Sequence, residues 1–134
     1  MTGGPRIAID AMGGDSGPAA MIAGAARARR RDPSLEFVIY GDEQEVEAEL
    51  KRHGGLRASV TLVHSPEAIA PSEKPSQAIR RAGTTSMGMA INAVKGDRAD
   101  AALSAGNTGA LMAMSKLALR TMPAFLAVLA VYFA

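Results

Sequence analysis

The sequence predicts an α/β protein built around a mostly parallel β-sheet. Short apolar runs alternate along the chain with longer segments of helical periodicity, which is the pattern of βαβ units. Glycine and proline residues stand at the boundaries between these runs and segments. Hydrophobic residues make up 48% of the 134 residues, which is enough for the packed core of one globular domain.

The first half of the chain is expected to hold three strands and two helices. A strand at 6–10 leads through a glycine-rich turn into a helix at 18–31, which has a proline in its first turn and ends at an Asp-Pro pair. A second strand at 35–40 precedes a charged surface helix at 43–53, which is stopped by two glycines. A third apolar strand follows at 60–64.

The second half is expected to hold three helices and one strand. After a proline-rich loop, a short helix is predicted at 75–81 and another at 86–95, with a Gly-Thr-Thr break between them. A fourth strand at 101–104 leads directly into an apolar helix at 107–120.

Residues 122–134 carry no charge and are too few to span a bilayer unaided. Their apolar run favours a buried central strand over a segment that lies on a membrane surface. We therefore expect residues 1–121 to form the N-terminal part of a domain. The tail at 122–134 lacks a partner element, so we expect the chain to be a truncated product.

The composition excludes several function classes. The 15 basic and 13 acidic residues give a net charge of only +2, and aromatic residues make up 4%, so no nucleic-acid partner is expected. The chain has no cysteine, which suits the cytoplasm and removes thiolate metal sites, and no secretory signal is visible. No dinucleotide-binding fingerprint or P-loop is present, so we expect no cofactor and no metal.

The turn from Ser104 to Gly109 is the most informative segment. A strand ends and a helix begins within it, so unpaired backbone N–H groups and the positive end of a helix dipole point to one position. Gly106 lets a ligand approach the backbone, and Asn107 and Thr108 add side-chain donors. Such a position favours a phosphate or a developing oxyanion. The alternative is a tight turn in which Asn107 only caps the helix.

A second glycine-rich turn follows the first strand. Gly13 and Gly14 permit close backbone approach, while Asp10 and Asp15 place carboxylates at the end of the strand. These carboxylates are suited to orienting a donor, acting as a general base or holding a hydrated cation. Alternatively, Asp15 or Ser16 caps the next helix and Asp10 binds loop amides.

A third group of polar residues lies between these two turns in the sequence. Ser76 and Arg80 are one helical turn apart and share a face, which is the arrangement of an anion clamp. Ser86 offers a further hydroxyl, although Thr85 or Ser86 is also suited to capping a helix. Turns after parallel strands lie at the same edge of the sheet, so we expect one shared site.

Four segments of the chain together resemble the PlsX family of phosphate acyltransferases, which depend on acyl-carrier protein. Their order and spacing match over residues 7–119, and the segments are 9–18, 74–80, 86–87 and 104–112. After residue 123 the chain departs from the family, which continues with a glycine, an Arg-Pro pair and more than as much chain again.

The resemblance implies that an acyl-carrier-protein thioester and inorganic phosphate give an acyl phosphate and free carrier protein, for phospholipid synthesis. It implies a three-layer α/β/α fold related to phosphotransacetylases and to isocitrate and isopropylmalate dehydrogenases, here incomplete. It also implies a homodimer when full length and a cytoplasmic location with peripheral membrane association. A glycerol-3-phosphate acyltransferase would act downstream.

Phosphate is already ionised at neutral pH, so the proposed chemistry needs no serine or cysteine intermediate. We expect catalytic roles for Asn107, Asp10 and Asp15. Binding of phosphate or substrate is expected from Gly13, Gly14, Ser76, Arg80, Ser86, Ser104, Gly106, Thr108 and Gly109. Two alternatives are an inactive fragment or phosphate-binding module, and a phosphotransacetylase-like enzyme that uses acyl-coenzyme A.

Overall fold

The computed structural model describes residues 3–120. All nine predicted elements are present there, and each end lies within two residues of its predicted position. The elements are β1 (Arg6–Asp10), α1 (Gly17–Arg31), β2 (Glu36–Gly41), α2 (Glu43–Lys51), β3 (Val60–His64), α3 (Pro75–Ile79), α4 (Ser86–Lys95), β4 (Ala101–Leu103) and α5 (Thr108–Leu119), with a short 3-10 helix at Arg57–Ser59. The predicted tail at 122–134 and its boundary at 121 lie outside the described residues.

The four strands form one parallel sheet in the order β3-β2-β1-β4. β1 lies between β2 and β4, so Ile9 has Ile39 on one side and Leu103 on the other. Because all strands run in the same direction, their carboxyl ends share one edge. The turns that follow β1 and β4 are therefore neighbours at that edge.

One face of the sheet is covered by α1 and α2. Side chains alternate between the faces of a strand, and Ile9, Phe37 and Ile39 all point to this one. The two helices meet them with buried apolar side chains, which are Ile22, Ala25, Ala26, Val46 and Leu50.

The opposite face of the sheet packs against α4. Ala8 and Tyr40 of the sheet contact Ala90 and Ala93 of the helix, and the small side chains allow close approach. α3 and α5 pack with α4 through a separate cluster, which comprises Ile69, Ala78, Met87, Ile91, Ala110 and Met114. Helices therefore lie on both faces of a parallel sheet, and the predicted α/β/α arrangement is confirmed. In the range 3–120, no helix has the length and apolar character needed to cross a membrane.

Helix starts differ in how they are capped. Three helices have side-chain caps, which are Asp42 for α2, Thr85 for α4 and Asn107 for α5. Ser16 occupies the N-cap position of α1, as one alternative expected, but its side chain makes no capping hydrogen bond. Pro18 in the first turn of α1 has no backbone N–H, so one fewer N–H group at this helix start needs a hydrogen-bond partner.

Candidate anion-binding site

Asp10 connects three segments at the carboxyl edge of the sheet. It ends β1 and lies on the same face as Ala8, so its side chain points toward the start of α4. The residue is only 2% exposed. It accepts hydrogen bonds from the Ser86 hydroxyl at 2.6 Å, the Ser104 hydroxyl at 2.7 Å and the Met12 N–H at 3.1 Å. The expectation that Asp10 binds a loop amide is therefore confirmed.

The Ser104 hydroxyl links this carboxylate to the β4–α5 turn. Its Oγ accepts the backbone N–H of Gly106 at 3.3 Å, and its proton goes to Asp10. In the described part of the chain, no lysine, arginine or histidine pairs with this carboxylate. A buried carboxylate without a cation depends on its hydrogen bonds, so losing any of them is costly.

The two glycine-rich turns are in direct contact. A Cβ on Gly106 would lie 2.5 Å from the Gly14 nitrogen and 3.0 Å from the Gly13 Cα. A Cβ on Gly13 would lie 2.7 Å from Asp10 Oδ2 and 2.9 Å from Ser104 Oγ. The close packing of the turns therefore requires glycine at both positions. The expectation that the turns after β1 and β4 lie together is confirmed.

Backbone N–H groups without protein acceptors lie at this junction. Among residues 3–120, no acceptor is found for the N–H groups of Gly13, Gly14, Thr108 and Gly109. Thr108 and Gly109 begin α5, so the positive end of its dipole adds to the effect of these donors. Fixed N–H groups at the start of a helix favour an anion. The described residues contain no group of three His, Cys, Asp or Glu side chains that could hold a metal ion.

The Asn107 side chain has three partners within the protein. The residue has a left-handed backbone with φ of 35°, and its Oδ1 accepts the Ala110 N–H at 3.1 Å. Its Nδ2 donates to the carbonyls of Ala70 and Glu73, both at 2.9 Å. The expectation that Asn107 caps α5 is therefore confirmed. In addition, Asn107 fastens the 65–74 loop to the start of α5, with both amide protons in use.

Three further predicted residues, Ser76, Arg80 and Asp15, lie on the surface outside the hydrogen-bond network of Asp10. A Cβ on Gly109 would lie 3.1 Å from Pro75 Cγ, so the starts of α3 and α5 are adjacent. Ser76 follows Pro75 and is exposed beside the junction. Arg80 and Asp15 are also exposed, and in the range 3–120 neither side chain makes a hydrogen bond. The structure thus does not join these two side chains to the network of Asp10.

The 65–74 loop is fixed by hydrogen bonds from Arg81, which was not among the predicted site residues. Arg81 Nε donates to the Glu67 carboxylate at 3.0 Å, Nη1 to the Glu73 carboxylate at 2.5 Å and Nη2 to the Ala68 carbonyl at 3.2 Å. The hydrogen bonds to Glu67 and then Glu73 raise the pKa of the Arg81 guanidinium. The sequence did contain a signal for this ion-pair cluster, because two acidic residues of a proline-rich loop are followed by a pair of arginines. The pattern did not indicate which arginine faces the loop.

The fold and the site define an α/β protein with a candidate anion-binding site at the carboxyl edge of a parallel sheet. The site forms where the β1–α1 and β4–α5 turns meet. The chain belongs to the family described as "Fatty acid synthesis protein", whose family model matches residues 5–127.

The chain is similar to phosphate acyltransferases from several organisms. Over 119 residues, the chain is 58% identical to the phosphate acyltransferase of Erythrobacter litoralis, with 89% of this chain covered. Over the same length it is 55% identical to that of Bradyrhizobium diazoefficiens and 52% identical to that of Nitrobacter hamburgensis, with 88% covered in each case. Each alignment covers 34% of the relative, so this chain spans about a third of their length.

Proposed function

We propose that this chain supplies the phosphate-binding part of a phosphate acyltransferase. The enzyme would make an acyl phosphate from an acyl-carrier-protein thioester and inorganic phosphate, for phospholipid synthesis. The observation that carries the proposal is the contact of Gly106 with Gly13 and Gly14, which places unpaired N–H groups of both turns at one junction. The names of the relatives support the acyl-transfer class. The carrier protein and the lipid pathway rest on the motif resemblance.

The proposed reaction forms a bond between a phosphate oxygen and the acyl carbon and breaks the carbon–sulfur bond. The phosphate attacks the thioester carbonyl, and negative charge develops on the carbonyl oxygen. The tetrahedral intermediate then expels the carrier thiolate, which takes a proton from solvent. A fixed N–H donor aimed at such an oxyanion is typically worth about 3–4 kcal/mol. Holding the ionised phosphate beside the carbonyl lowers the barrier further.

The binding groups of this proposal are mainly backbone groups. The N–H groups of Gly13, Gly14, Thr108 and Gly109 would hold the phosphate or the oxyanion. Two exposed side chains of the α3 segment, Ser76 and Arg80, would contact the phosphate from the solvent side.

Other polar side chains of the site would act by positioning. Asp10 fixes Ser86 and Ser104, and Asn107 fixes the start of α5, since their hydrogen-bonding groups are occupied within the protein. Asp15 is the exposed carboxylate near the junction and would handle a proton or order the first turn.

Properties of the whole enzyme are proposed from the resemblance alone. They are a homodimeric state, a cytoplasmic location with peripheral membrane association, and delivery of the product to a glycerol-3-phosphate acyltransferase. An acyl phosphate is a reactive mixed anhydride, so rapid use by a second acyltransferase is chemically reasonable.

The first test is titration of the isotope-labelled 134-residue chain with inorganic phosphate, followed by NMR. We expect the amide signals of the junction glycines Gly13, Gly14 and Gly109 to shift. The signals of Gly54 and Gly55, which follow α2 at the other edge of the sheet, should not shift. A titration that moves none of the junction signals would refute the phosphate site.

The second test supplies a full-length relative with phosphate and either acyl-carrier protein or acyl-coenzyme A as the acyl donor. Hydroxylamine traps the acyl phosphate for detection. Product from the carrier-protein thioester supports the proposal. Product from acyl-coenzyme A alone would assign the phosphotransacetylase-like alternative, and phosphate binding without product from either donor would assign a phosphate-binding module.

A further inference from the structure

A continuous path of hydrogen bonds joins the 65–74 loop to the Asp10 side of the candidate site. The Glu67 carbonyl accepts the backbone N–H of Ser86 at 3.0 Å. The Ser86 hydroxyl donates to Asp10, and the same carboxylate holds Ser104. The loop and the end of β1 therefore share one residue, Ser86, as their link.

A second path joins the same loop to the α5 side of the site. Asn107 donates to the carbonyls of Ala70 and Glu73, and it is also the cap of α5. Arg81 closes the two paths into a ring, since it binds the Glu73 carboxylate, the Glu67 carboxylate and the Ala68 carbonyl. One guanidinium thus holds both ends of the loop on which Asn107 depends.

The Glu73 carboxylate makes this loop sensitive to Arg81. Its side chain is 10% exposed, and one oxygen accepts from Arg81. The other oxygen is buried, and of all buried side-chain oxygens and nitrogens within residues 3–120 it alone has no hydrogen-bond partner. Arg81 is therefore the cation that compensates this buried charge. A buried carboxylate that loses its partner is strongly destabilising, so the loop would open to hydrate it.

We propose that Arg81 is a positioning residue of the anion site, acting through the 65–74 loop and Asn107 on the N–H groups at the start of α5. This inference rests on the proposed function for the identity of the anion. The guanidinium hydrogen bonds of Arg81 within residues 3–120 all go to the 65–74 loop, so Arg81 would act on the anion through that loop. Lysine would not replace it, because one ammonium group does not span three separate acceptors.

The test compares Arg81→Ala with the double variant Arg81→Ala/Glu73→Gln in the 134-residue chain. Arg57→Ala is the matched control, because the Arg57 guanidinium likewise bridges a carboxylate, that of Glu47 at 3.3 Å, and a backbone carbonyl, that of Val60 at 3.0 Å. Arg57 precedes β3, so it lies at the opposite edge of the sheet from the site.

The first readout is amide hydrogen exchange at Glu73, Ser86 and Ala110, whose N–H groups are bonded along the ring. Arg81→Ala should speed their exchange by about tenfold or more, and Arg57→Ala should leave it unchanged. Adding Glu73→Gln should remove much of the increase, because the uncompensated charge is then gone. Equal exchange at these amides in the Arg81 and Arg57 variants would overturn the inference.

The second readout is the dissociation constant for inorganic phosphate, measured on the same proteins. We expect it to rise about tenfold in Arg81→Ala and to stay unchanged in Arg57→Ala, even where both variants unfold at similar urea concentrations. Faster exchange with unchanged phosphate affinity would overturn the positioning role. If the unaltered chain bound no phosphate, the proposed function would fail, and the exchange at Ala110 would still decide whether Arg81 controls Asn107.

Discussion

Replacing Gly106 with alanine tests whether the two glycine-rich turns must touch. The new Cβ would lie 2.5, 3.0 and 3.2 Å from the nitrogen of Gly14 and the Cα and carbonyl carbon of Gly13. Ordinary contact begins near 3.4 Å, so the turns must separate by about 0.9 Å, from 2.5 to 3.4 Å. All three opposing atoms belong to the backbone, so no side chain can rotate away. Overpacking of this kind costs about 1–3 kcal/mol, and the free energy of unfolding should fall by that amount.

The matched control is Gly24→Ala in the middle of α1. No atom lies within 4 Å of the position of its Cβ, so the substitution should stabilise the helix by about 0.5–1 kcal/mol. Urea denaturation followed by circular dichroism measures both changes, and phosphate titration measures the site. Gly106→Ala should weaken phosphate binding, and Gly24→Ala should not. A Gly106→Ala protein with unaltered stability and phosphate affinity would refute the contact between the turns.

Three further substitutions test single interactions. Asp10→Asn places an amide where the carboxylate accepts hydrogen bonds from two hydroxyls, so the free energy of unfolding measured with urea should fall by about 1–3 kcal/mol. An unchanged free energy of unfolding would contradict the hydrogen-bond network. Thr85→Ala removes the cap that accepts the Gly88 N–H, for an expected loss of about 1 kcal/mol that Thr85→Ser should largely avoid. Hydrogen bonds from Arg6 lower the pKa of Asp100 below its ordinary value of 3.8. The ionised Asp100 carboxylate therefore stabilises the fold above pH 3.8, and this stabilisation is lost as the pH falls through the lower pKa of the folded state. Asp100→Asn should therefore flatten the loss of stability below about pH 4, and an unchanged acid denaturation curve would contradict this.

The sequence predicted the elements well because their signals are local. The strand at Val60–His64 and the helix at Ser86–Lys95 have the predicted bounds, since apolar runs and a Thr cap mark them directly. The proximity of the two glycine-rich turns was predictable for a different reason. Carboxyl ends of parallel strands lie at one edge, so the turns after β1 and β4 had to lie at that edge whatever the strand order.

The partners of the polar side chains were not predictable from the sequence. Asn107 binds the carbonyls of Ala70 and Glu73, which precede it by 37 and 34 residues, and no local pattern identifies those acceptors. Likewise, Arg80 and Arg81 differ by one position, about 100° around a helix. Which of the two reaches the 65–74 loop depends on how α3 packs, and that packing is a tertiary property.

The occupied side chains constrain the chemistry that the site can perform. Asp10 and Asn107 are polar residues of the two turns for which we expected catalytic roles, yet their hydrogen-bonding groups bind other parts of the protein. Within residues 3–120, the groups of the two turns that lack a protein partner include backbone N–H donors, which supply neither a general base nor a nucleophile. A reaction served by such groups needs a nucleophile that is already ionised, and inorganic phosphate is one. Truncating Asn107 should consequently change the geometry of the donors at the start of α5 rather than remove a reacting group.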